Sequence, residues 1–136
     1  MNIGEISVGM SAEMSRTVTS EAIVAFAEAT GDFNPVHVDE EAGKASLFGE
    51  RIAHGMLSAG LISAVLGMKL PGAGALYLSQ TLKFVKPVKI GDTITARAEV
   101  VEVIAAKKRV RLATTCRNQL GETVVEGEAL AKVRGE

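Results

Sequence analysis

The stretch GMLSAGLISAVLGMKL, residues 55–70, is apolar on nearly every side of a helix, and it decides how the rest of the chain must fold. A helix without a polar face is stable in water only when other elements surround it. Its small residues let neighbouring backbones approach closely, and Pro71 with Gly72 ends it. The longest stretch without Asp, Glu, Lys or Arg runs from Ile52 to Met68. It is shorter than the roughly 20 apolar residues that a bilayer requires. Residues 55–70 are therefore predicted to form a buried core helix.

After Gly74 the hydropathy pattern alternates with a period of two, which is typical of strands that bury one face. Four segments follow this pattern, residues 76–84, 94–100, 109–117 and 125–133. In the first of them the leucines alternate with Tyr77 and Ser79, so the leucines are assigned to the buried face. Short turns between the segments favour an antiparallel sheet that is covered on one side only. The predicted fold class is α+β, with one antiparallel sheet curled around one helix.

Two shorter helices are predicted upstream of the core helix. Thr19 is a suitable N-cap for the first, and Gly31 ends it. Asp39, followed by two glutamates, begins the second, which ends near Ser46. Residues 32–37 lie between them and have the composition of a loop, because asparagine favours local hydrogen bonds and a proline disfavours the helical conformation of the residue before it.

The composition is that of one globular domain spanning residues 1–136. Hydrophobic residues make up 47% of the chain, charged residues 23% and aromatic residues 4%, which excludes a disordered tail. The net charge of -1 gives no electrostatic basis for binding nucleic acid or an anionic membrane. A single cysteine, Cys116, excludes an intrachain disulfide, and the first residues do not resemble a signal peptide. The expected location is the cytoplasm.

The chain has only two histidines, and the first of them, His37, lies five residues after Asp32. On a strand this spacing directs the side chains to opposite faces, and on a helix it separates them by about 140° around the axis. A chain reversal at Asn34-Pro35 would instead bring them together. An imidazole and a carboxylate that share a water molecule can remove one proton and return another. From the residues alone, the simpler interpretation is that Asp32 caps a turn and His37 packs on the surface.

The second histidine, His54, precedes Gly55 at the start of the core helix. Free backbone N–H groups at a helix start can polarise a carbonyl oxygen, although the residues alone favour a purely structural role for both positions. No metal site is expected, since the histidines have no partner at ligand spacing. Cys116 alternates with apolar strand positions and is expected to pack rather than react. The basic residues 107–111 form either a solvated hairpin end or a phosphate contact.

Several segments of the chain, in this order, carry a resemblance to a known family. They are FA at 26–27, TGDFNPVH at 30–37, HGM at 54–56, FVKPV at 84–88 and GD at 91–92. Together they resemble the (R)-specific enoyl-CoA hydratases of the MaoC-like, hotdog-fold group, over nearly the whole chain. One departure is Gly43, where the family usually has alanine or serine. This change is expected to loosen local packing without touching the Asp32 and His37 pair.

The resemblance implies a hotdog fold paired into a homodimer, and hydration of a trans-2-enoyl-CoA to the (R)-3-hydroxyacyl-CoA. It implies that Asp32 and His37 hold the attacking water, with Asp32 as the base and His37 as the proton donor, or with these roles exchanged. The N–H of Gly55 is the implied donor to the thioester oxygen, and Asn34 keeps the catalytic loop in shape. An acyl-CoA thioester is the implied substrate, and no cofactor is implied.

The acyl tail of such a substrate needs an apolar slot beside the core helix. Ile62 and Ser63 each lie about one helical turn from Leu66. These three residues are the candidates for substrate binding and chain-length selection. Plain core packing is an equally weighted interpretation of the same residues. A chain with a single small core favours short to medium acyl groups.

Three other functions remain open at this point. One is a 3-hydroxyacyl-acyl carrier protein dehydratase or hydratase that uses the same pair of residues. The others are a thioesterase that directs water at the thioester carbonyl, and a non-catalytic acyl-CoA binding module. The metabolic setting also stays open among fatty acid β-oxidation, the supply of polyhydroxyalkanoate and another pathway.

Overall fold

The computed structural model describes residues 1–135 and shows one six-stranded antiparallel sheet packed around one long helix. The strands are β1 (Ser11–Thr17), β2 (Leu76–Gln80), β3 (Lys83–Phe84), β4 (Thr93–Ile104), β5 (Arg109–Arg117) and β6 (Thr123–Lys132). The helices are α1 (Ser20–Thr30), α2 (Pro35–Val38), α3 (Glu40–Ala45) and α4 (Gly55–Met68). Short 3-10 turns lie at Ile3–Glu5 and Ala105–Lys107.

The strand order across the sheet is β1-β4-β5-β6-β2, and β3 pairs with Val125 and Glu126 of β6. Helix α4 is the predicted core helix, and its side chains Ile62, Val65 and Leu66 are buried against the sheet. The sheet accommodates the helix because alanines alternate along the inner faces of two strands, as with the fully buried Ala98 on β4 and Ala131 on β6. One sheet around one helix is the predicted architecture, and the structure confirms it.

The predicted boundaries of the upstream helices are also confirmed. The Thr19 side chain accepts a hydrogen bond from the Ala22 N–H at 3.1 Å, and Gly31 ends α1 in the left-handed conformation with φ 81°. The Asp39 side chain accepts one from the Glu41 N–H at 3.0 Å, which begins α3. Each cap satisfies a backbone group that the first helical turn leaves unpaired.

One local prediction was wrong, and one strand was missed. Residues 35–37 are not loop, because Asn34 caps a single helical turn that begins at Pro35, the position where a proline is best tolerated. Strand β1 was not predicted at all. It is an edge strand whose side chains are mostly exposed, so it lacks the alternation of apolar residues that reveals a half-buried strand.

The inward face of β2 was also assigned incorrectly. Tyr77 pairs with the buried Ala131 on β6 and therefore faces the helix, whereas Leu76 pairs with Lys132 and is 58% exposed. Strand β2 lies at the edge of the sheet, where neighbours cover little of either face. Hydropathy alone does not determine which face of such a strand points inward.

Cys116 and Arg111, two residues considered for chemistry or ligand binding, have structural roles instead. Burial raises the pKa of the Cys116 thiol to about 12, so Cys116 packs in the core as an unreactive residue. Arg111, in the basic run, forms ion pairs with Glu102 and Glu128 on neighbouring strands. Among residues 1–135, no helix combines the length and apolar character needed to span a bilayer.

Candidate active site

The site begins where α1 ends, at a turn that fixes the Asp32 carboxylate. The Thr30 hydroxyl donates to the Phe26 carbonyl at 2.8 Å and accepts from the Asp32 N–H at 3.2 Å. Asp32 Oδ1 in turn accepts from the Asn34 N–H at 3.1 Å. This side-chain bond two residues along the chain is a local turn motif that holds an aspartate in one orientation. The other carboxylate oxygen remains available.

Helix α2 then carries His37 back towards Asp32. Asn34 caps this helix through a 3.4 Å bond from the Val36 N–H, so Asn34 shapes the loop and does not line the cleft described below. His37 Nδ1 lies 2.8 Å from the carbonyl oxygen of Ile52. Because a carbonyl oxygen only accepts, Nδ1 carries a hydrogen and Nε2 is the nitrogen left to exchange a proton.

The reversal at Asn34-Pro35 brings the two groups together, as the spacing required. One side-chain ligand atom of each residue, Asp32 and His37, lies within 4.8 Å of the other. Two hydrogen bonds of 2.8 Å that meet at a tetrahedral water oxygen span about 4.6 Å. Atoms within 4.8 Å of each other are close enough for the two groups to share one water molecule.

His54 completes the site in a way that the sequence did not reveal. Its side chain is 2% exposed, and its Nε2–H donates to the Asp32 carbonyl oxygen at 2.9 Å. Its ring stacks on the His37 ring with centroids 3.9 Å apart, and the centroid of the Phe26 ring lies 4.8 Å from it. His54 thus holds the backbone of Asp32 and the ring of His37 in place. The one signal for this role in the sequence was that His54 is the second of the chain's two histidines.

These three side chains do not form a good metal centre, although Asp32, His37 and His54 lie close together. A metal lies in the plane of each imidazole that binds it, about 2.1 Å from the nitrogen. The two rings are stacked 3.9 Å apart at an interplanar angle of 27°, so their planes do not meet so near the nitrogens. The arrangement instead favours proton transfer.

A buried arginine, Arg51, holds the backbone at His37 in place. Arg51 is 8% exposed, and its Nε donates to the His37 carbonyl oxygen at 2.7 Å, while Nη1 donates to Ser20 and Glu40 at 3.1 Å. A Cβ atom at Gly43 would lie 2.6 Å from the Arg51 backbone nitrogen. Gly43 therefore permits close packing and does not loosen it, and through Arg51 it bears on the backbone of His37. The expectation that Gly43 loosens local packing was wrong, and Gly43 reaches the pair only indirectly, through Arg51.

Asp32 and His37 open onto an apolar cleft of about 700 Å³ beside α4. Gly55 and Ser63, two of the residues predicted for the site, also line it. Gly55 is the first residue of α4, where backbone N–H groups have no partner within the helix. The Asp32 carboxylate, the His37 imidazole and the start of α4 at Gly55 therefore all face the same cleft.

The other two predicted substrate contacts lie elsewhere. Ile62 is 1% exposed and belongs to the core, because it is rotated by about 100° around the helix from Ser63 and faces the sheet. Leu66 lines a separate chamber of about 150 Å³, with Ser63 on its border. The helical spacing placed these residues on one side of α4 but did not tell which of them the cleft reaches.

A second cleft, of about 530 Å³, lies on the other side of the same helix start. His37, Gly55 and Met56 line both clefts. Phe84 and Lys86 belong only to the second, which is also largely apolar. The two clefts therefore share His37 and Gly55 along their common border.

Comparisons with known proteins show the family to which this chain belongs. The MaoC like domain family matches residues 4–121. The (R)-specific enoyl-CoA hydratase of Rhodospirillum rubrum is 49% identical over 129 residues, which cover 95% of this chain and 89% of that protein. The 3-hydroxybutyryl-CoA dehydratase of Methylorubrum extorquens is 50% identical over 130 residues, 95% of this chain and 82% of that protein. The unliganded R-hydratase PhaJ1 from Pseudomonas aeruginosa matches with a TM-score of 0.94 and 45% identity, covering 99% of this chain and 86% of that one.

The sheet wrapped around α4 is the hotdog fold that the resemblance implied. The chain belongs to the MaoC-like family.

Proposed function

We propose that this protein is an (R)-specific enoyl-CoA hydratase, which adds water to a trans-2-enoyl-CoA and forms the (R)-3-hydroxyacyl-CoA. The observation that carries the proposal is the Asp32 and His37 pair, at most 4.8 Å apart, at the wall of an apolar cleft. The identity of 49% to a hydratase of that name supports the same activity and stereochemistry.

In the first step, the water held between the two side chains attacks C3 of the enoyl group. Asp32 removes a proton from this water as the new C–O bond forms. The electrons of the C2=C3 double bond move towards the thioester, and negative charge develops on its oxygen. The free N–H of Gly55 at the start of α4 is the proposed donor to that oxygen, where a fixed donor lowers the barrier.

In the second step, His37 delivers the proton on Nε2 to C2, and the thioester carbonyl forms again. The bond from Nδ1–H to the Ile52 carbonyl keeps the ring oriented for this transfer and favours the form that carries a proton on Nδ1 throughout. Asp32 then holds one proton more and His37 one fewer than before, and a proton transfer between them restores the resting state. The exchanged assignment, with His37 as the base and Asp32 as the proton donor, is tested by the measurements discussed below.

The two clefts offer separate places for the two ends of the substrate. The apolar cleft of about 700 Å³ is the proposed acyl site, because it runs along α4 past Ser63. The second cleft, with Lys86 at its wall, is the proposed site of the pantetheine arm. Since Gly55 borders both clefts, the thioester would lie beside its N–H with the enoyl group next to Asp32 and His37.

The activity is tested by mixing the purified protein with crotonyl-CoA and following the loss of the conjugated absorbance. The expected product is (R)-3-hydroxybutyryl-CoA, identified by chiral chromatography. Formation of the (S) isomer, or release of free CoA, would reject the assignment. Release of CoA would indicate a thioesterase.

Ser63 is proposed to limit the length of the acyl chain. We expect Ser63→Leu to reduce kcat/KM for trans-2-octenoyl-CoA about tenfold more than for crotonyl-CoA, since the larger side chain fills the part of the cleft that only a longer tail reaches. Ser63→Ala is the matched control, because it removes the hydroxyl without adding volume. If Ser63→Leu lowers activity equally on both substrates, Ser63 does not contact the tail.

A homodimer formed through the free edge of β2 is the proposed assembly. Leu76 and Leu78 on this edge are 58% and 37% exposed, and an unpaired strand with apolar side chains readily pairs with another chain. We expect light scattering to give twice the 14.2 kDa mass of one chain, and Leu76→Lys to shift the mass towards that of a monomer. A monomeric wild-type protein would refute this assembly.

A further inference from the structure

His54 contacts both members of the Asp32 and His37 pair but offers a substrate almost no surface. Its Nε2–H donates to the Asp32 carbonyl oxygen at 2.9 Å, and its ring stacks on the His37 ring with centroids 3.9 Å apart. Although His54 borders the 700 Å³ cleft, it is only 2% exposed. Any effect of this side chain on the reaction therefore passes through its neighbours.

The contacts of His54 determine which of its nitrogens carries the hydrogen. The Asp32 carbonyl oxygen only accepts, so the hydrogen is on Nε2. Nδ1 is buried and has no hydrogen-bond partner among residues 1–135. The Phe26 ring, whose centroid lies 4.8 Å away, offers no acceptor for it. A second hydrogen, on Nδ1, would be buried without an acceptor, which destabilises the charged form of this ring.

His37 has an acceptor at the nitrogen where His54 has none. Its Nδ1–H donates to the Ile52 carbonyl oxygen at 2.8 Å, which leaves Nε2 for a second hydrogen. The Asp32 carboxylate lies within 4.8 Å and is the nearby negative charge that an imidazolium requires. Of the two stacked rings, His37 is therefore the one built to hold and release a proton.

The charged groups around the two rings favour one imidazolium and not two. Two positive charges on rings 3.9 Å apart would repel each other strongly in a site with little water. Asp32 supplies one negative charge. Arg51 donates to the His37 carbonyl oxygen, but its own charge is balanced by Glu40 at 3.1 Å. A charge on His37 therefore disfavours a charge on His54.

His54 also joins the pair to the start of α4. It is the N-cap residue of this helix, and its carbonyl oxygen accepts a hydrogen bond from the Leu57 N–H at 3.0 Å. The next residue is Gly55, the proposed donor to the thioester oxygen. The bond from the His54 ring to Asp32 therefore fixes the proposed donor relative to the proposed base.

We infer that His54 is an uncharged positioning residue that confines the transferred proton to Asp32 and His37 and holds both of them in place relative to Gly55. The inference rests on the proposed hydratase function and adds to it a residue that acts without touching the substrate.

The charge of His54 is tested by NMR spectra of the ring nitrogens in isotope-labelled protein. The chain has only two histidines, so His54→Gln identifies the signals of each ring. At neutral pH we expect His54 to give the pattern of an uncharged ring with its hydrogen on Nε2, and His37 to carry a hydrogen on Nδ1. A charged His54 ring, or one with its hydrogen on Nδ1, would overturn the inference.

Two substitutions separate the hydrogen bond of His54 from its stacking. His54→Gln keeps an amide nitrogen that can donate to the Asp32 carbonyl but has no ring to stack on His37. His54→Phe keeps a ring but has no donor. We expect each to lower kcat for crotonyl-CoA about tenfold or more, with KM changed less than about threefold, because misplaced groups fail mainly in the transition state. A loss confined to KM, or a kcat within about twofold of wild type in both variants, would contradict a positioning role.

A double substitution distinguishes positioning from a general loss of stability. In the His37→Asn background, His54→Gln is expected to lower kcat by no more than about twofold further, because the ring that His54 stacks on is already absent. Losses that multiply in full would show that His54 does not act through His37. Val110→Ala is the control for stability, since Val110 is buried on β5 and lines neither cleft. It is expected to lower the melting temperature and to leave kcat within about twofold of wild type.

These outcomes separate the inference from the function on which it rests. A wild-type protein that does not hydrate crotonyl-CoA would refute the proposed function, and the NMR spectra would still decide the charge of His54. Hydration of crotonyl-CoA by the wild-type protein, together with folded His54 variants of unchanged kcat, would refute only the positioning role. Thermal melting identifies variants that fail to fold, and His54→Gln keeps the test decisive if His54→Phe is one of them.

Discussion

Asp32→Asn is expected to lower kcat/KM for crotonyl-CoA by about 10³-fold, in the range observed when a general base is removed. The amide has nearly the same shape as the carboxylate, and its oxygen can still accept the hydrogen bond from the Asn34 N–H. The loop should therefore keep its conformation, and the melting temperature should change little. Steady-state kinetics and a thermal melt on the same preparation measure both effects.

Asp39→Asn is the matched control for this substitution. Asp39 caps α3 on the exposed surface and does not line the cleft, and asparagine serves equally well as a helix cap. Activity within a factor of about two of wild type is expected for the control. If Asp32→Asn retains comparable activity, the carboxylate is not the base. If it fails to fold, the simpler interpretation of Asp32 as a turn cap gains support.

His37→Asn is expected to cause a loss of similar size, about 10³-fold in kcat/KM. The asparagine amide nitrogen can take the place of Nδ1 and donate to the Ile52 carbonyl, so this substitution removes Nε2 while keeping the hydrogen bond that orients the residue. Circular dichroism should remain that of the wild-type protein. Retention of more than a tenth of the activity would show that Nε2 does not transfer the proton.

Exchange at C2 distinguishes the roles of the two residues. Butyryl-CoA has no hydroxyl to eliminate but carries the same C2–H, so loss of its proton signal in D₂O measures proton transfer at C2 alone. If His37 serves C2, Asp32→Asn should retain this exchange and His37→Asn should lose it. The opposite pattern would assign C2 to Asp32 and water activation to His37.

Much of the site could be predicted from particular residues. Five positions separate Asp32 from His37, and neither a strand nor a helix brings such residues together, so Asn34-Pro35 had to reverse the chain for the pair to form. The structure contains that reversal. Ser63 was one of three candidates on α4, and it is the one of the three that lines the cleft. The reversal could be anticipated because it depends on local backbone geometry, which short stretches of sequence encode.

Other contacts of the site could not be found in this way. Arg51 and His54 each bond to a backbone carbonyl of the pair from at least 14 residues away along the chain. Backbone carbonyls are present at every residue, so the sequence has no pattern that identifies which one a distant side chain will meet. The role of Gly43 under Arg51 depended on the same long-range contact.

The apolar stretch that begins at residue 55 was enough to predict a helix packed against a sheet, because an apolar helix is stable in water only when other elements cover it. The structure buries Ile62, Val65 and Leu66 of this helix and leaves Met56 and Met68 exposed. Which face of β2 points inward depends instead on contacts that form only in the folded chain. The unpaired Leu78 turns Tyr77 towards α4, and an edge strand has too few neighbours for hydropathy to fix its orientation. The composition of the core is thus encoded locally, whereas the boundary of the acyl cleft depends on strand register.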